Sequence, residues 1–131
     1  MPEEYYVAWW NLENLFDLET ATRTEKLKRA LKGELDGWKK TVLDRKLSQL
    51  AKIIKKMNSD EGPDILGVCE VESKGVLKKL VNTLNLPSRR YKIAHDDTKD
   101  KRGIDVAFLY DGKKFVFEKY HIFPCKIIPC F

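Results

Sequence analysis

Residues 64–72 read Asp-Ile-Leu-Gly-Val-Cys-Glu-Val-Glu, and this stretch decides the fold class. Ile65–Val71 is apolar up to Cys69-Glu70 and too short for a buried helix, so it predicts a buried strand that ends in carboxylates. Amphipathic helices are expected on both sides, over Lys39–Asn58 and Lys74–Leu84. In the first of them, the large apolar side chains recur at spacings of four and three residues, which places them on one helical face.

Further strands are predicted before and after these helices. Glu4–Asn11 is rich in Tyr, Val and Trp and is expected to form the first buried strand. Tyr91–Ala94, Asp105–Tyr110 and Phe115–His121 are also predicted strands, and the last two form a hairpin across Asp111-Gly112. The order strand, helix, strand, helix and three strands predicts an α/β domain with a mixed sheet.

The composition is typical of one soluble domain. The chain has 131 residues, of which 43% are hydrophobic and 34% charged, so wholesale disorder is excluded. Its longest apolar run, Tyr5–Trp10, has six residues, against the roughly 20 that span a membrane. Within that run, Trp9 and Trp10 are expected in the core. With no signal-peptide pattern and an odd number of cysteines, a cytoplasmic location with reduced thiols is expected.

The positive charge of the chain is concentrated in one segment. Residues Arg23–Lys56 contain twelve Lys and Arg against four Asp and Glu, whereas the whole chain has a net charge of only +5. A basic segment favours an anionic partner such as nucleic acid or phospholipid headgroups. The alternative is a solvated helix face without a partner, and both interpretations stay open. A second charged stretch, His95–Gly103, is expected to be a surface loop.

Polar side chains follow the first two predicted strands. Asn11, Glu13 and Asn14 come at the end of the first strand, and Glu70 and Glu72 at the end of the second. Functional sites of open α/β sheets gather at the carboxyl ends of strands. Carboxylates and an amide there offer the oxygen ligands that Mg²⁺ prefers. Strand-end carboxylates are also common as solvated loop residues, so the spacing alone leaves both alternatives open.

Three motifs in order carry a resemblance to a known family. Residues 10–16 read Trp-Asn-Leu-Glu-Asn-Leu-Phe, residues 64–72 are quoted above, and residues 102–107 read Arg-Gly-Ile-Asp-Val-Ala. This combination resembles the endonuclease/exonuclease/phosphatase superfamily, which includes DNase-I-like nucleases, abasic-site endonucleases, inositol polyphosphate phosphatases and neutral sphingomyelinases. The resemblance covers about residues 5–110. One departure is Cys69, because the family usually has Gln beside the metal-binding glutamate.

The resemblance implies roles for five residues. Glu70 is expected to be the principal ligand and a catalytic residue of a Mg²⁺ site, in which Mn²⁺ is an acceptable substitute. Asn11 is expected in the floor of the active site, where it bonds the scissile phosphate or the catalytic carboxylates. Glu13 is expected to support the first metal or bind a second one, and Arg102 to bind the substrate phosphate. Asp105 is expected to orient Arg102 or a histidine of the site, with a salt bridge at the strand start as the alternative.

The resemblance also implies a fold and a missing part. Full members are four-layer α/β/β/α sandwiches whose second half supplies a Gly-Asp-x-Asn and a Ser-Asp-His segment, and this sequence contains neither. Residues 1–131 are therefore expected to be the first half of such a sandwich, with a mixed, mainly antiparallel sheet. Within it, the basic loop and helix span residues 23–56 and an atypical tail spans residues 123–131. The leading explanation is a truncated or frameshifted reading frame.

Three functions are compatible with these motifs. The first is the N-terminal portion of a Mg²⁺-dependent phosphoesterase, in which water attacks phosphorus in line. A nuclease-type phosphodiesterase is favoured because of the basic segment, while a phosphoinositide or small phosphoester stays open as substrate. The second is a catalytically incompetent half-domain that binds anionic ligands or metal, and the third an inactive remnant. Half a sandwich exposes one apolar sheet face, so self-association through that face is expected.

Overall fold

The structure is a computed structural model that describes residues 3–96 and 105–119. Arg102 and the tail at residues 123–131 lie outside the described residues, and their predicted roles stay predictions. The described elements, in chain order, are β1 (Val7–Leu15), α1 (Glu25–Ala30), α2 (Lys40–Lys56), β2 (Ile65–Val71), α3 (Lys74–Leu84), β3 (Tyr91–His95) and β4 (Asp105–Asp111).

The four strands form one open sheet in the order β1-β2-β4-β3. β1 and β2 are parallel, whereas β4 runs antiparallel to both of its neighbours, β2 and β3. Parallel strands cannot be joined by a tight turn. The connection between β1 and β2 accordingly contains α1 and α2. The predicted α/β class with a mixed sheet, antiparallel in two of its three pairings, is confirmed.

The first strand extends further than predicted. We expected it to end at Asn11, but β1 continues to Leu15. Leu12 and Leu15 are 1% and 0% exposed, so both leucines of this irregular strand end lie in the core, whereas Glu13 between them is exposed. Burial of one leucine side chain stabilises the fold by roughly 1.5–3 kcal/mol, which is enough to hold an irregular strand end in place.

The predicted hairpin of β4 with Phe115–His121 is wrong for the residues that the structure describes. Residues 115–119 are not in a strand. Both edges of β4 are already bonded, to β2 on one side and to β3 on the other, so no edge remains for a hairpin partner. The chain instead turns at Asp111, whose carbonyl accepts the amides of Lys114 and Phe115 at 3.0 Å each.

Helices α2 and α3 cover one face of the sheet. α3 begins at Ser73, whose Oγ accepts the Val76 amide at 3.3 Å, and ends at Asn85 in the left-handed conformation. The apolar stripe predicted for α2 is buried, and α3 buries its own stripe beside it against the central strands. The buried side chains are Leu43, Leu47, Leu50, Ala51 and Ile54 of α2, Val76, Leu77, Leu80 and Leu84 of α3, and Leu66, Val68, Ala107 and Leu109 of the sheet.

The opposite face of the sheet exposes large apolar side chains. Val7 is 65% exposed, Trp9 58% and Phe108 38%. The expectation that Trp9 lies in the core is therefore wrong, whereas Trp10 packs against the core. Trp9 and Phe108 stand in one row with Gly67, and their rings meet edge to face at 6.2 Å. A Cβ at Gly67 would lie 2.3 Å from Trp9 Cε3, so the missing side chain makes room for the indole ring.

A buried ion cluster closes the sheet at the end opposite the carboxyl ends of β1 and β2. Arg89 bonds both Asp64 and Asp111, and all three side chains are at most 5% exposed. Lys114 Nζ lies 2.8 Å from Asp64 Oδ1, and the Tyr6 amide donates to Asp64 Oδ2 at 2.7 Å. These bonds outweigh the burial of the carboxylate and lower the pKa of Asp64 to about 2. The cluster thus joins β1, β2 and the turn after β4.

None of the helices in residues 3–96 and 105–119 is long and apolar enough to cross a membrane.

Candidate functional site

Both strands of the parallel pair are irregular at their carboxyl ends. The register is regular up to Asn11 opposite Cys69, and it resumes at Leu15 opposite Val71. Three residues of β1 thus occupy an interval in which β2 has only Glu70. Bulges of this kind redirect side chains at the end of a sheet. Here the bulges of two neighbouring strands meet at the edge where the sequence predicts a site.

Three residues at this edge have unusual backbone angles. Glu13, Asn14 and Glu70 have φ values of 54°, 58° and 58°. This left-handed region is costly for residues other than glycine and persists only where surrounding contacts enforce it. Strain of this kind is concentrated at functional sites. The backbone therefore marks the same edge of the sheet that the motifs mark.

Glu70 lies in the bulge of β2 and is half-buried. Its Oε2 accepts the backbone amide of Asn14 at 3.1 Å, which joins the two bulges directly. Among the described residues, no hydrogen bond to Oε1 of Glu70 is found. Within the described part of the chain, the protein thus holds one carboxylate oxygen and leaves the other open to a ligand.

Asn11 and Glu13 lie at the same edge of the sheet as Glu70, and their predicted roles stay predictions. Asn11 Oδ1 accepts the Glu13 amide at 2.8 Å, an Asx-type turn that begins the bulge of β1. Both side chains are exposed at the edge. Because the side-chain oxygen of Asn11 already accepts this hydrogen bond, its side-chain NH₂ group is the part that can bind a ligand. This group is a donor and therefore suits an anion.

Asn14 carries an unsatisfied polar atom. Its Oδ1 is buried and has no hydrogen-bond partner within the described part of the chain. Buried polar atoms are nearly always bonded, so an orphaned one in a native structure points to a missing ligand, ion or water. An amide oxygen is also a ligand type of hard cations. The sequence placed Asn14 at the strand end but assigned it no role.

Lys46 of α2 is a site residue that the sequence did not identify. Its ammonium donates to the carbonyl oxygen of Glu13 and lies 5.7 Å from the ring centroid of Trp38. Burial lowers the pKa of Lys46, while the carboxylates of Glu13 and Glu70 act in the opposite direction. The sequence did contain an indication of this role. Position 46 borders the apolar stripe of α2, so its side chain lies near the edge of the buried face.

Asp105 is held beside a histidine. His95 Nε2 lies 2.9 Å from Asp105 Oδ2, with side chains 7% and 3% exposed. The expectation that a surface loop begins at His95 is wrong, because this residue ends β3 and its side chain is buried. His95 is thus one partner of Asp105, while Arg102 lies outside the described residues, so the predicted orienting role of Asp105 stays a prediction. Asp105 itself pairs with Val71, one position beyond Glu70.

A second buried ion pair joins the segments that follow β1 and β2. Arg23 Nη2 lies 2.7 Å from Glu72 Oε1, and their side chains are 2% and 5% exposed. Glu72 also accepts the Asp17 amide at 2.9 Å. The sequence counted Arg23 among the surface charges, but the structure uses it to tie the loop after β1 to the end of β2.

A groove runs from the site along α2. It has a volume of about 420 Å³ and lies between β1 and α2. Its lining includes Asn11, Glu13, Lys46, Arg45 and Trp38. Among the described residues, no group of three or more His, Cys, Asp or Glu side chains is arranged to hold a metal ion.

Comparison with known proteins identifies the family of the chain. A model of the endonuclease/exonuclease/phosphatase family matches residues 6–126, which include every described element from β1 to β4. The chain belongs to this family. No match was found among curated proteins or among solved structures.

Family membership confirms the resemblance that the three motifs carry. The endonuclease/exonuclease/phosphatase fold brings Asn11, Glu13 and Glu70 to one edge of the sheet. At the departure from the family pattern, burial and the charge of Glu70 raise the pKa of the Cys69 thiol. A neutral thiol is a weaker hydrogen-bond donor than the glutamine amide that the family usually has at this position.

Proposed function

We propose that this member of the endonuclease/exonuclease/phosphatase family carries the first-half catalytic set of a Mg²⁺-dependent phosphoesterase, namely a nuclease-type phosphodiesterase. One observation carries the proposal. Glu70 projects from a bulge with a left-handed backbone at the carboxyl edge of β2, with one oxygen bonded to Asn14 and the other available. This is the position that the family motif gives to the principal metal ligand.

The residues present fit a hard divalent cation. Glu70 offers a carboxylate oxygen and Asn14 a buried amide oxygen without a partner, and both are ligand types that Mg²⁺ or Mn²⁺ accepts. Mg²⁺ characteristically takes only one or two carboxylates and keeps several waters. Glu13, exposed at the same edge, is proposed as a supporting carboxylate or as a ligand of a second ion.

The chain's own residues have distinct roles in the proposed reaction. A cation at Glu70 would neutralise charge on the phosphoryl oxygens while water attacks phosphorus in line with the leaving group. The Asn11 amide nitrogen binds a phosphate oxygen, and Asp105 keeps His95 oriented. Arg102 is proposed to bind the phosphate as a bidentate donor.

Nucleic acid is the favoured substrate class. The groove beside Asn11 is lined by Arg45, Lys46 and Gln49, groups suited to a phosphodiester backbone. Nine cationic side chains of the basic segment are exposed, namely Lys26, Lys28, Arg29, Lys32, Lys39, Lys40, Arg45, Lys52 and Lys56. A small phosphoester, including a phosphoinositide headgroup, is the alternative substrate, and assays with both classes distinguish the two.

A second candidate function is binding without turnover. The sequence contains no Gly-Asp-x-Asn or Ser-Asp-His segment, so the residues that activate water and steady the developing charge on the scissile phosphate in the family are not among these 131 residues. We propose that the four-layer sandwich would be completed over the face of Val7, Trp9 and Phe108. In the 131-residue chain, the apolar side chains of this face are exposed, and two copies of the chain are proposed to associate through it.

The decisive experiment compares cleavage and binding in one set of variants. The 131-residue chain is incubated with supercoiled plasmid DNA and with bis-p-nitrophenyl phosphate, with Mg²⁺ or with EDTA. We expect metal-dependent cleavage that Glu70→Gln abolishes and that Glu34→Gln, a change in an exposed loop, leaves intact. Salt-dependent DNA binding without cleavage would favour the second candidate. Neither binding nor cleavage would refute both.

A further inference from the structure

One peptide group connects helix α2 to Glu70. The carbonyl oxygen of Glu13 accepts a hydrogen bond from the Lys46 ammonium, and the Asn14 amide donates to Glu70 Oε2 at 3.1 Å. The Glu13 carbonyl and the Asn14 amide belong to the same peptide bond. Since this bond is trans, its oxygen and its hydrogen point in opposite directions. The Lys46 ammonium and the Glu70 carboxylate therefore lie at opposite edges of one peptide group, close to its plane.

This peptide group cannot keep its orientation without external contacts. Both flanking residues have left-handed φ values, 54° at Glu13 and 58° at Asn14, and neither is glycine. Such conformations persist only where the surrounding structure determines them. In the regular strand conformation the amide plane would be turned, and the Asn14 amide would no longer be aimed at Glu70.

Lys46 is well placed to supply that external contact. Its helix is fixed by the buried neighbours Leu43, Leu47 and Leu50, and its ammonium is held near the ring of Trp38. A cation hydrogen-bonded to a carbonyl oxygen also polarises the peptide group, and this strengthens the hydrogen bond that the N–H of the same group donates. Both effects act on the bond that fixes Oε2 of Glu70.

We propose that Lys46 is a positioning residue for Glu70, acting through the peptide group between Glu13 and Asn14. Lys46 holds this amide plane so that its N–H fixes one carboxylate oxygen and leaves the other for the cation. The inference rests on the proposed function for the identity of the cation. The positioning itself depends only on the described contacts. Residues that orient a metal ligand typically change metal affinity by about 10- to 100-fold when they are replaced.

Three substitutions separate positioning from simple packing. Lys46→Met keeps an unbranched apolar side chain beside Trp38 but removes the donor and the charge. Lys46→Arg keeps both, and Lys46→Gln keeps an N–H donor without the charge. The matched control is Lys78→Met on α3, which removes an exposed lysine. Urea unfolding of each variant establishes that it is folded before binding is measured.

The first measurement is the affinity of the 131-residue chain for Mn²⁺. The concentration of free ion in the titration is monitored by its electron paramagnetic resonance signal. We expect Lys46→Met to weaken Mn²⁺ binding by about 10-fold or more. Lys46→Arg should restore most of the affinity, and Lys78→Met should match the wild type. If Lys46→Met is too unstable to measure, Lys46→Gln is expected to show a smaller loss in the same direction.

The second measurement is the amide proton shift of Asn14 by NMR without metal. In Glu70→Gln the resonance of this proton should shift upfield because the carboxylate acceptor is lost. In Lys46→Met it should shift in the same direction. An Asn14 shift unchanged in Lys46→Met and Lys46→Gln overturns the inference. If wild type and Glu70→Gln bind Mn²⁺ equally, the proposed cation site fails, whereas the Asn14 shift still decides the positioning role.

Discussion

Arg23 and Glu72 are 49 residues apart in sequence and form a buried, two-pronged ion pair, with Nε 2.9 Å from Oε2 and Nη2 2.7 Å from Oε1. The same guanidinium donates to the carbonyl oxygens of Asp17 at 3.0 Å and Leu18 at 2.8 Å. Arginine suits this position because its planar fork satisfies several acceptors at once. The loop that follows the candidate site is thus fixed by one side chain.

Replacing Arg23 should destabilise the protein strongly. In Arg23→Met the Glu72 carboxylate stays buried without its partner, and removing one member of a buried pair costs about 3–5 kcal/mol. Urea unfolding measures the free energy directly. The control is Lys28→Met, which breaks the exposed pair of Lys28 with Glu25 and should cost less than about 1 kcal/mol. Equal stability of the two variants would contradict the prediction.

The buried cluster around Asp64 predicts a pH dependence of stability. The pKa of Asp64 in the folded state is about 2, below the ordinary value of 3.8. Asp64 is therefore ionised at neutral pH, and the cluster contributes its full stabilisation there. That contribution, about 2 kcal/mol for a shift of this size, is lost as the pH falls from about 4 towards 2. The unfolding free energies of wild type and Asp64→Asn should therefore converge over this range. Asp60→Asn, in an exposed turn, should follow the wild type throughout.

Gly67→Ala tests the contact between Trp9 and the sheet. The added methyl group would lie 2.3 Å from Trp9 Cε3 and 3.1 Å from Phe108 Cε1, so the indole ring must leave the sheet. We expect a loss of about 1–3 kcal/mol in unfolding free energy and a red shift of the tryptophan emission. Gly75→Ala in α3 meets nothing closer than 3.6 Å and should instead be neutral or stabilising by up to about 1 kcal/mol. Unchanged tryptophan emission in Gly67→Ala would show that the indole ring of Trp9 does not lie over Gly67.

Self-association is expected to depend on the face that carries Val7. Val7→Lys places a charge among the exposed apolar side chains, which should shift the mass measured by light scattering towards the monomer. Val42→Lys is the matched control, because Val42 is 41% exposed on α2, away from this face. If both variants have the mass of the wild type, self-association does not use this face.

Much of the fold was predictable because it depends on local patterns. The apolar stripe of α2 and the bounds of α3 and β2 follow from periodicity and from nearby turn residues, and they agree with the structure to within two residues. The common position of Asn11, Glu13 and Glu70 was also predictable, since parallel strands bring their carboxyl ends to one edge of the sheet. These features need no knowledge of which distant segments pair.

The features that sequence missed depend on non-local pairing. The Asp111-Gly112 turn favours a hairpin, which would need a free edge on β4. That edge is already occupied by β3, a strand that comes earlier in the chain. Lys46 and Arg23 look like the other cations of the basic segment, because charge alone does not reveal a buried acceptor brought from another element. The exposure of Trp9 likewise depends on whether anything covers that face of the sheet.

The strand order β1-β2-β4-β3 has a consequence for how the protein is made. β4 is the last described strand to be synthesised, yet it occupies an interior position between β2 and β3. Among the described strands, β3 hydrogen-bonds only to β4, so on the ribosome β3 has no sheet partner until residues 105–111 have emerged. The contact between His95 and Asp105 therefore forms last in the candidate site, after Glu70 can already have met Asn14.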